Sequence, residues 1–535
     1  MLPTPPRFAA RLASAIAMTA CACAAGAVLP VARVQAQRAA PAPFILEEAT
    51  LADLRDAMQA GSLSCRQLVQ GYLRRIEAYD HNGPAINALI VVNPAALTTA
   101  DSLDRRYARD GFIGPLHCVP TIVKDNFETF DLPTTAGSLA LKGWQPNRDA
   151  FQVQRLRAAG AIVLAKSNMA ELAFSPNETV SSILAGYTKN PYALDRVTAG
   201  SSGGTAAAVA ASFGAVGLGS DTGNSIRGPS AHQALVGIRS TMGLTSRNGV
   251  VPLFDSQDIA GPMGRTVADV VAVFQVIAGE DPGDPVTAAA RAHPIPTYAD
   301  SLRLDGVRGA RIGVLRVAYE SASLDPEVNA VFRRALDDLA RLGAVIIDPV
   351  AIPALDSLRR LQSGACSPFR HDFEAYLTRV ADSKPPIRTV AEILSSGRYH
   401  PSLQARLESS QRVTESPEQS PGCRARESYR AGLRVALRQL MDSLRLEAVA
   451  YPTWSNPPRL IGDLNSPGGD NSQVFSPGTG FPAITVPMGY TRGQLPAGLQ
   501  LLARPFAEGT LFRLAYGYEQ GTRHRRPPAS VPPLR

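Results

Sequence analysis

Residues 200–228, GSSGGTAAAVAASFGAVGLGSDTGNSIRG, place two glycine- and serine-rich clusters on either side of a run of small side chains. The run at 206–212 predicts a helix that passes closely through a core. Three interpretations of the clusters compete: a phosphate cradle, a G-x-S-x-G nucleophile elbow, and a catalytic site whose two halves the helix brings together. The choice among them decides both the fold and the chemistry.

The phosphate cradle fits this stretch poorly. A P-loop requires G-x-x-x-x-G-K-[ST], and no GK[ST] occurs in the chain. A dinucleotide-binding fingerprint requires an apolar strand that leads into the glycines. The preceding segment at 190–199, NPYALDRVTA, contains Pro191 and no apolar run. The sequence therefore disfavours a nucleotide phosphate as the ligand.

The nucleophile elbow matches GSSGG literally, with Ser202 as the nucleophile. An elbow also requires a preceding strand, a downstream acid and a terminal histidine. The strand is missing, although His293, His371 or His400 would complete the order. An α/β-hydrolase-type serine esterase therefore stays open as an alternative.

Outside this stretch, short apolar runs alternate with helical patterns. The runs suit strands that are buried on both faces, and they lie at 161–165, 311–316, 343–350, 446–451 and 481–487. Apolar residues at helical spacing predict helices at 50–60, 64–80, 152–159, 266–279, 326–342, 425–443 and 508–519. The alternation predicts an α/β fold in which helices cover both faces of a sheet.

The composition and charge of the chain argue against a nucleic-acid partner and a metal site. The 535 residues are 45% hydrophobic and 19% charged, which is typical of a soluble globular protein. The net charge is +8, but the 54 basic residues are interleaved with 46 acidic ones, so we expect no nucleic-acid partner. The seven histidines have no metal-ligand spacing, and we predict no metal site.

The first 36 residues are typical of an export signal. Arg7 and Arg11 precede an alanine-rich uncharged stretch, and residues 34–36 follow the small-x-small pattern of signal peptidase sites. Lipid attachment at Cys21 and a membrane anchor at 12–32 are the alternatives, and the alanine, glycine and serine content disfavours a stable span. We expect a periplasmic or secreted protein.

Behind the signal, a connector at 37–43 precedes one large domain at 44–535, with a variable insertion around 352–425. Within the insertion, 401–422 is predicted to be an exposed loop. Cys366 and Cys423 can pair across the insertion in an oxidising compartment, or stay unpaired and buried. The sequence leaves both states open.

The third interpretation is supported by a resemblance that extends well beyond the glycines. Residues 200–252, from GSSGG to NGVVP, closely resemble the signature of the amidase signature family. Companion segments follow the family order: GPLHCVPTIVKDN at 114–126, AKSNMAELAF at 165–174, GPMGRTVAD at 261–269, FPAITVP at 481–487 and PAGLQLLARPF at 496–506. The resemblance implies that 44–535 is an amidase domain with a mixed β-sheet core, which hydrolyses carboxylic amides and similar esters.

The resemblance also implies a Ser-cisSer-Lys triad. Ser225 corresponds to the nucleophile, Ser201 to the bridging residue after a cis peptide bond from Gly200, and Lys124 to the base. A serine needs a base, and a lysine can act as one only when its pKa is lowered. Lys124 follows an apolar run, and Lys166 is its competitor. No cofactor is implied.

Residues 220–225 resemble the oxyanion loop of the family, with backbone donors at Thr222, Gly223 and Asn224. Asp221 and Arg227 flank the nucleophile and are interpreted as braces for this loop; a grip of Arg227 on a substrate carboxylate is the alternative. Two residues stand where the family commonly has glycine, namely Cys118 and Asn224. We expect Asn224 to preserve the loop, because asparagine tolerates left-handed geometry, and to narrow the pocket.

Two rival functions share this fold. The glutaminase subunit of a tRNA-dependent amidotransferase is opposed by the export signal, because charged tRNA is cytosolic. A catalytically silent binding protein is opposed by the complete triad. The expected partner is a small-molecule amide: peptide, aryl, fatty and small aliphatic amides all stay open, and no oligomeric state is predicted.

Overall fold

A mixed sheet of eleven strands runs through the residues that the structure, a computed structural model, describes, which are 44–534. In chain order the strands are β1 (Leu89–Val92), β2 (Pro120–Lys124), β3 (Ile162–Ser167), β4 (Val216–Asp221), β5 (Val236–Arg239), β6 (Ile259–Gly264), β7 (Arg311–Val314), β8 (Val345–Ile347), β9 (Ala448–Pro452), β10 (Ala483–Thr491) and β11 (Leu495–Leu502). Their order across the sheet is β1-β3-β2-β4-β6-β5-β10-β11-β9-β7-β8.

The sheet combines parallel and antiparallel pairs. Strand β2 is parallel to β3 and β4, and β7 is parallel to β8 and β9, whereas the other neighbours are antiparallel. Strands β2, β3, β4, β6 and β9 are buried along their whole length. Because successive side chains point to opposite faces, the sheet is covered on both sides. The predicted α/β fold with a mixed core is confirmed.

Fifteen α-helices accompany the sheet within the described residues. They are α1 (Leu51–Gln59), α2 (Cys65–Ile76), α3 (Ala96–Asp110), α4 (Phe151–Ala158), α5 (Gly203–Ala210), α6 (Arg227–His232), α7 (Val267–Ile277), α8 (Pro326–Arg341), α9 (Leu355–Arg359), α10 (Phe369–Arg379), α11 (Val390–Ser396), α12 (Gln404–Gln411), α13 (Pro421–Ser443), α14 (Ser476–Thr479) and α15 (Glu508–Thr522). None of these helices has the length and apolar character needed to cross a membrane. The predicted leader at 1–36, with Cys21, and the connector at 37–43 lie outside the described residues.

The 352–425 segment is more ordered than its sequence indicates. It holds α9 to α12 and the start of α13, so the predicted exposed loop at 401–422 is wrong for 401–411, which is helical, whereas 412–420 is a largely exposed loop. Leu403 and Leu407 of that stretch are buried in a small apolar cluster with Phe369 and Phe373. Leu403 at the N-cap of α12 and Leu407 within the helix pack α12 against this cluster.

Two disulfides fasten the chain. Cys366 is bonded to Cys423 at the start of α13, which settles the alternative that the sequence left open. Cys65 of α2 is bonded to Cys118, a pair that the sequence did not predict. Cys118 has a φ of 64°, in the left-handed region that favours glycine, which is the reason that a glycine suits this position.

The two ends of the described chain are held together by two arginines, of which Arg75 is buried and Arg525 is partly buried. Arg525 forms an ion pair with Glu48, with both donor nitrogens 2.7 Å from carboxylate oxygens. Arg75 pairs with Glu47 and donates from Nη2 to the carbonyl of Val531 at 2.8 Å. The tail therefore packs against the start of the domain.

Candidate active site

The parallel strands β2 and β4 deliver the central groups. Val123 of β2 lies in register with Leu218 of β4, so both strands end at the same edge of the sheet, with Lys124 on one and Asp221 on the other. Helix α5 begins just after Ser201 and precedes β4, which leads back to Ser225. The backbone N–H of Ser202 donates to the carbonyl of Ser225 at 3.2 Å. The opening stretch thus brings its two serine clusters together.

Lys124 is fully buried and surrounded by hydroxyl groups. Its Nζ donates to Ser201 Oγ at 2.7 Å and to Ser220 Oγ at 2.8 Å, with the Ser220 carbonyl at 3.4 Å. Burial lowers the pKa of Lys124 to about 7, although the carboxylates of Asp258 and Asp221 attract the proton and oppose this shift. A large share of Lys124 is therefore neutral near pH 7 and able to accept a proton.

Ser201 and Ser225 lie in adjacent segments. The Gly200–Ser201 peptide bond is cis, as the resemblance implies. Ser225 Oγ donates to Asn224 Oδ1 at 3.4 Å, and no hydrogen bond joins it to Ser201 within the described chain. A hydrogen bond between Ser225 Oγ and Ser201 Oγ therefore has to form before the proton of Ser225 can pass to Ser201.

The loop before Ser225 offers free backbone donors. The N–H groups of Thr222, Gly223 and Asn224 form no hydrogen bond to any residue that the structure describes. The Thr222 hydroxyl donates to the buried carboxylate of Asp258, which also accepts from the N–H of Leu253 at 2.8 Å. Such unpaired N–H groups are what an oxyanion requires.

A buried ion-pair network fixes this loop. Arg227 bonds Asp221 from Nε at 3.1 Å and donates to the Gly223 carbonyl at 2.6 Å, and Arg239 pairs with Asp221 at 3.2 Å. Burial opposes ionisation of Asp221, but the attraction of Arg227 and Arg239 prevails and lowers its pKa. Arg227 is fully buried and also donates to Gln500, so its guanidinium is occupied within the protein.

The two competing groups from the sequence have other partners. Lys166 Nζ lies 3.4 Å from Asp125 Oδ1 and donates to the carbonyls of Phe127 and Pro133 at 2.9 Å each. Ser202 stands at the N-cap position of α5 without capping it, and its hydroxyl donates to the Ser220 carbonyl at 3.2 Å. No histidine of the described chain bonds to Ser202, as an elbow triad would require.

Three site residues were missed by sequence reasoning: Ser220, Asn126 and Asp258. Ser220 Oγ contacts Lys124 and accepts from Asn126 Nδ2 at 3.0 Å. Asp258 is the partner of Thr222, and burial raises the pKa of Asp258 to about 6. Ser220 and Asn126 stand within the quoted family segments, so their proximity to the triad was an available signal. Asp258 lies outside those segments, so no signal in the sequence pointed to it.

A cavity of about 650 Å³ opens at Ser225 and the loop at 222–224. Its other walls include Phe174, Leu253 and Phe254, together with residues from α9, α12 and α13. Asn224 lines the cavity and donates to the Pro176 carbonyl at 3.3 Å. Its φ is not positive, so the expected use of left-handed geometry does not arise.

One cluster of metal-ligand type lies apart from these serines. Cys65, His117 and Cys118 bring a ring nitrogen and two sulfurs within 4.8 Å of one another, all buried. The two sulfurs are bonded to each other, which removes the thiolates that a metal would need.

Comparison with known proteins gives a consistent result. The family model described as Amidase matches residues 67–512. A probable amidase of Arabidopsis thaliana is 35% identical over 502 residues, which cover 91% of this chain and 93% of the relative. One subunit of the glutamyl-tRNA(Gln) amidotransferase of Moorella thermoacetica is 35% identical, with coverage of 90% of this chain and 98% of the relative.

A solved structure has a fold similar to that of this chain. Native peptide amidase from Stenotrophomonas maltophilia superimposes with a TM-score of 0.81 at 36% identity, covering 90% of this chain and 98% of that one. With a family model that matches most of the chain and relatives that match along nearly their whole length, the chain belongs to the amidase (amidase signature) family.

Proposed function

We propose that this chain is an exported amidohydrolase that cleaves carboxylic amides, and esters of similar shape, through an acyl-enzyme on Ser225. The observation that carries the proposal is the buried Lys124, whose pKa falls to about 7 and whose Nζ lies 2.7 Å from Ser201 Oγ. A neutral lysine next to a serine pair is a base for serine attack.

The steps follow from these groups. Ser225 Oγ attacks the carbonyl carbon while its proton passes through the Ser201 hydroxyl to Lys124 Nζ. The developing oxyanion accepts hydrogen bonds from the free N–H groups at 222–224, each worth about 3 kcal/mol in the transition state. Lys124 then returns the proton through Ser201 to the leaving nitrogen, and the amine departs. Water releases the acyl group along the same proton path.

Three variants test the roles. Turnover of a panel of amides and matching esters is measured for the wild type, Ser225→Ala, Lys124→Ala and Ser202→Ala. We expect Ser225→Ala to lose about 10⁴-fold or more and Lys124→Ala about 10²-fold or more, because they remove the nucleophile and the base. Ser202→Ala removes only a contact to the Ser220 carbonyl and is the matched control.

Two results would contradict this assignment. Activity that survives Ser225→Ala and disappears in Ser202→Ala would favour the nucleophile elbow. A folded wild type with no turnover on any amide or ester would favour the silent binding protein.

Export is proposed on two grounds: the signal-like composition of 1–36 and the two disulfides, which persist in oxidising compartments. Export does not suit a protein that acts on charged tRNA, although an amidotransferase of that kind is among the relatives. We expect the intact mass of protein recovered from the bacterial periplasm or medium to lack residues 1–36. An unprocessed mass, or protein found only in the cytosol, would refute export.

A further inference from the structure

The cavity at Ser225 is lined by four arginines. They come from three helices and are Arg359, Arg406, Arg426 and Arg430. No acidic side chain of the described residues lines this cavity. A concave site with one sign of charge raises the local concentration of ligands of the opposite sign.

Two of these arginines have only neutral partners. Arg406 donates to the Phe174 carbonyl at 2.6 Å, and Arg426 donates to the Cys366 carbonyl at 2.9 Å. Within the described chain neither forms an ion pair with a carboxylate. Their positive charges are therefore not compensated by the protein.

The other two have weak partners. Arg359 lies 3.5 Å from Asp356, and Arg430 lies 3.5 Å from Glu427. The Asp356 side chain is 87% exposed and that of Glu427 is 56% exposed, and Glu427 also binds Arg434 at 2.6 Å. Exposed pairs of this kind contribute little, because water competes for both charges.

Arg430 combines burial with a hydrogen-bond donor that has no partner in the described chain. The residue is only 6% exposed, and its Nη2 has no hydrogen-bond partner in the described chain. It follows Arg426 by four residues on α13, so the two like charges lie on the same face of the helix. Burial lowers the pKa of both groups, with Glu427 opposing the shift at Arg430. An anion that both guanidinium groups bind would offset the free-energy cost of burying each of the two positive charges.

We propose that the cavity selects amides that carry a carboxylate away from the scissile bond, and that Arg430, assisted by Arg426, holds this carboxylate. The inference rests on the proposed amidase function and names its substrate class. A guanidinium matches a carboxylate with two parallel hydrogen bonds. Arg227, the arginine that the sequence offered for this purpose, is occupied by Asp221 and Gln500 and does not line the cavity.

The test compares amides that differ only in charge. Succinamate, glutaramate and adipamate are each matched with the amide in which an isopropyl group replaces the carboxylate. We expect the wild type to have a kcat/KM about tenfold or more higher for at least one carboxylate amide than for its partner. Arg430→Gln should lower that kcat/KM about tenfold or more, mainly through KM, and leave the isopropyl amides nearly unchanged.

Two further variants separate charge from structure. Arg438→Gln changes an exposed arginine on the same helix, outside the cavity, and should have no effect. Arg430→Lys should recover part of the preference, because it restores the charge without the planar fork. Turnover of the isopropyl amides by Arg430→Gln reports that the variant is folded.

Binding to Ser225→Ala, measured by titration calorimetry with the same pairs, makes the inference independent of turnover. Tighter binding of the carboxylate amides that Arg430→Gln abolishes would support the inference even without hydrolysis. Equal binding and equal turnover within every pair would overturn it and leave the amidase function intact. Absence of all turnover with a retained binding preference would instead refute the amidase function alone.

Discussion

Lys124 and Lys166 have the same burial and different chemistry. Both side chains are fully buried, but Lys166 faces the carboxylate of Asp125, whereas Lys124 contacts two hydroxyls and a carbonyl. Burial lowers the pKa of both lysines; Asp125 opposes the shift at Lys166, as Asp258 and Asp221 do at Lys124. We propose Lys124 rather than Lys166 as the base because its Nζ contacts Ser201 Oγ.

The pH dependence of activity follows from the lowered pKa of Lys124. The protonated form predominates below about 7 and cannot accept the serine proton, so kcat/KM should rise with pH through about 7 and then level off. The measurement is kcat/KM on one amide between about pH 5 and about pH 9.

Lys124→Arg is the control for this profile. Arginine keeps its proton throughout that range, so we expect a loss of at least about a hundredfold at every pH. A profile that falls as pH rises through 7, or a Lys124→Arg variant with wild-type activity, would show that Lys124 is not the base.

More residues of the candidate site could be predicted from the sequence than its local patterns alone would indicate. Lys124, Ser201 and Ser225 were assigned through the family resemblance, and the structure brings Lys124 and Ser201 into contact. Asp258 could not be found, because its role depends on a contact with Thr222 across 36 residues of chain. The rotamer of Ser225 is also a packing detail that no sequence pattern encodes.

At the scale of elements, the position of α5 depends on its first two residues, Gly203 and Gly204, which have no side chains. A Cβ added at Gly204 would collide with the backbone of Asn168 and Ala88, and one at Gly203 with the hydroxyls of Thr179 and Thr198. The helix therefore lies as close to its neighbours as backbone permits, which keeps Ser201 beside the strand that carries Lys124.

Gly204→Ala tests this close approach. Replacing a helical glycine by alanine ordinarily gains up to about 1 kcal/mol, but forcing a methyl group against backbone costs about 1–3 kcal/mol. We expect a net loss in the free energy of unfolding, measured by urea denaturation.

Gly478→Ala is the matched control, since its nearest neighbour would be a leucine side chain at 3.6 Å. It should unfold at the wild-type urea concentration or above it. Equal stability of the two variants would show that α5 can move away from its neighbours without cost.

Sequence reasoning predicted five of the eleven strands of the described chain from short apolar runs, and it missed β1, although LIVV is such a run. The five predicted strands correspond to β3, β7, β8, β9 and β10. Strands β5 and β6 were missed because VGIR and IAGPMG contain glycine or proline and have little strand preference of their own. They are strands because their neighbours supply the hydrogen bonds.

For the molecule as a whole, the alternation of strands and helices predicted the class of fold but not its topology. The sheet order places β10 and β11 between β5 and β9, although more than 200 residues separate β5 from β10. The sequence of a buried strand does not specify which strand pairs with it, because any apolar face can pack against any other. The family resemblance implied a mixed sheet, but the order of its strands comes from the structure alone.

The pairing of Arg75 and Arg525 with the start of the domain has a practical consequence for protein engineering. Since Glu47 and Val531 contact the same guanidinium, a short glycine-serine linker can join residue 534 to residue 44. New ends can then be opened in the exposed turn at 464–467. A circularly permuted enzyme of this kind would keep Lys124, Ser201 and Ser225 on uninterrupted chain and offer its new ends at 464–467 for fusion to other proteins.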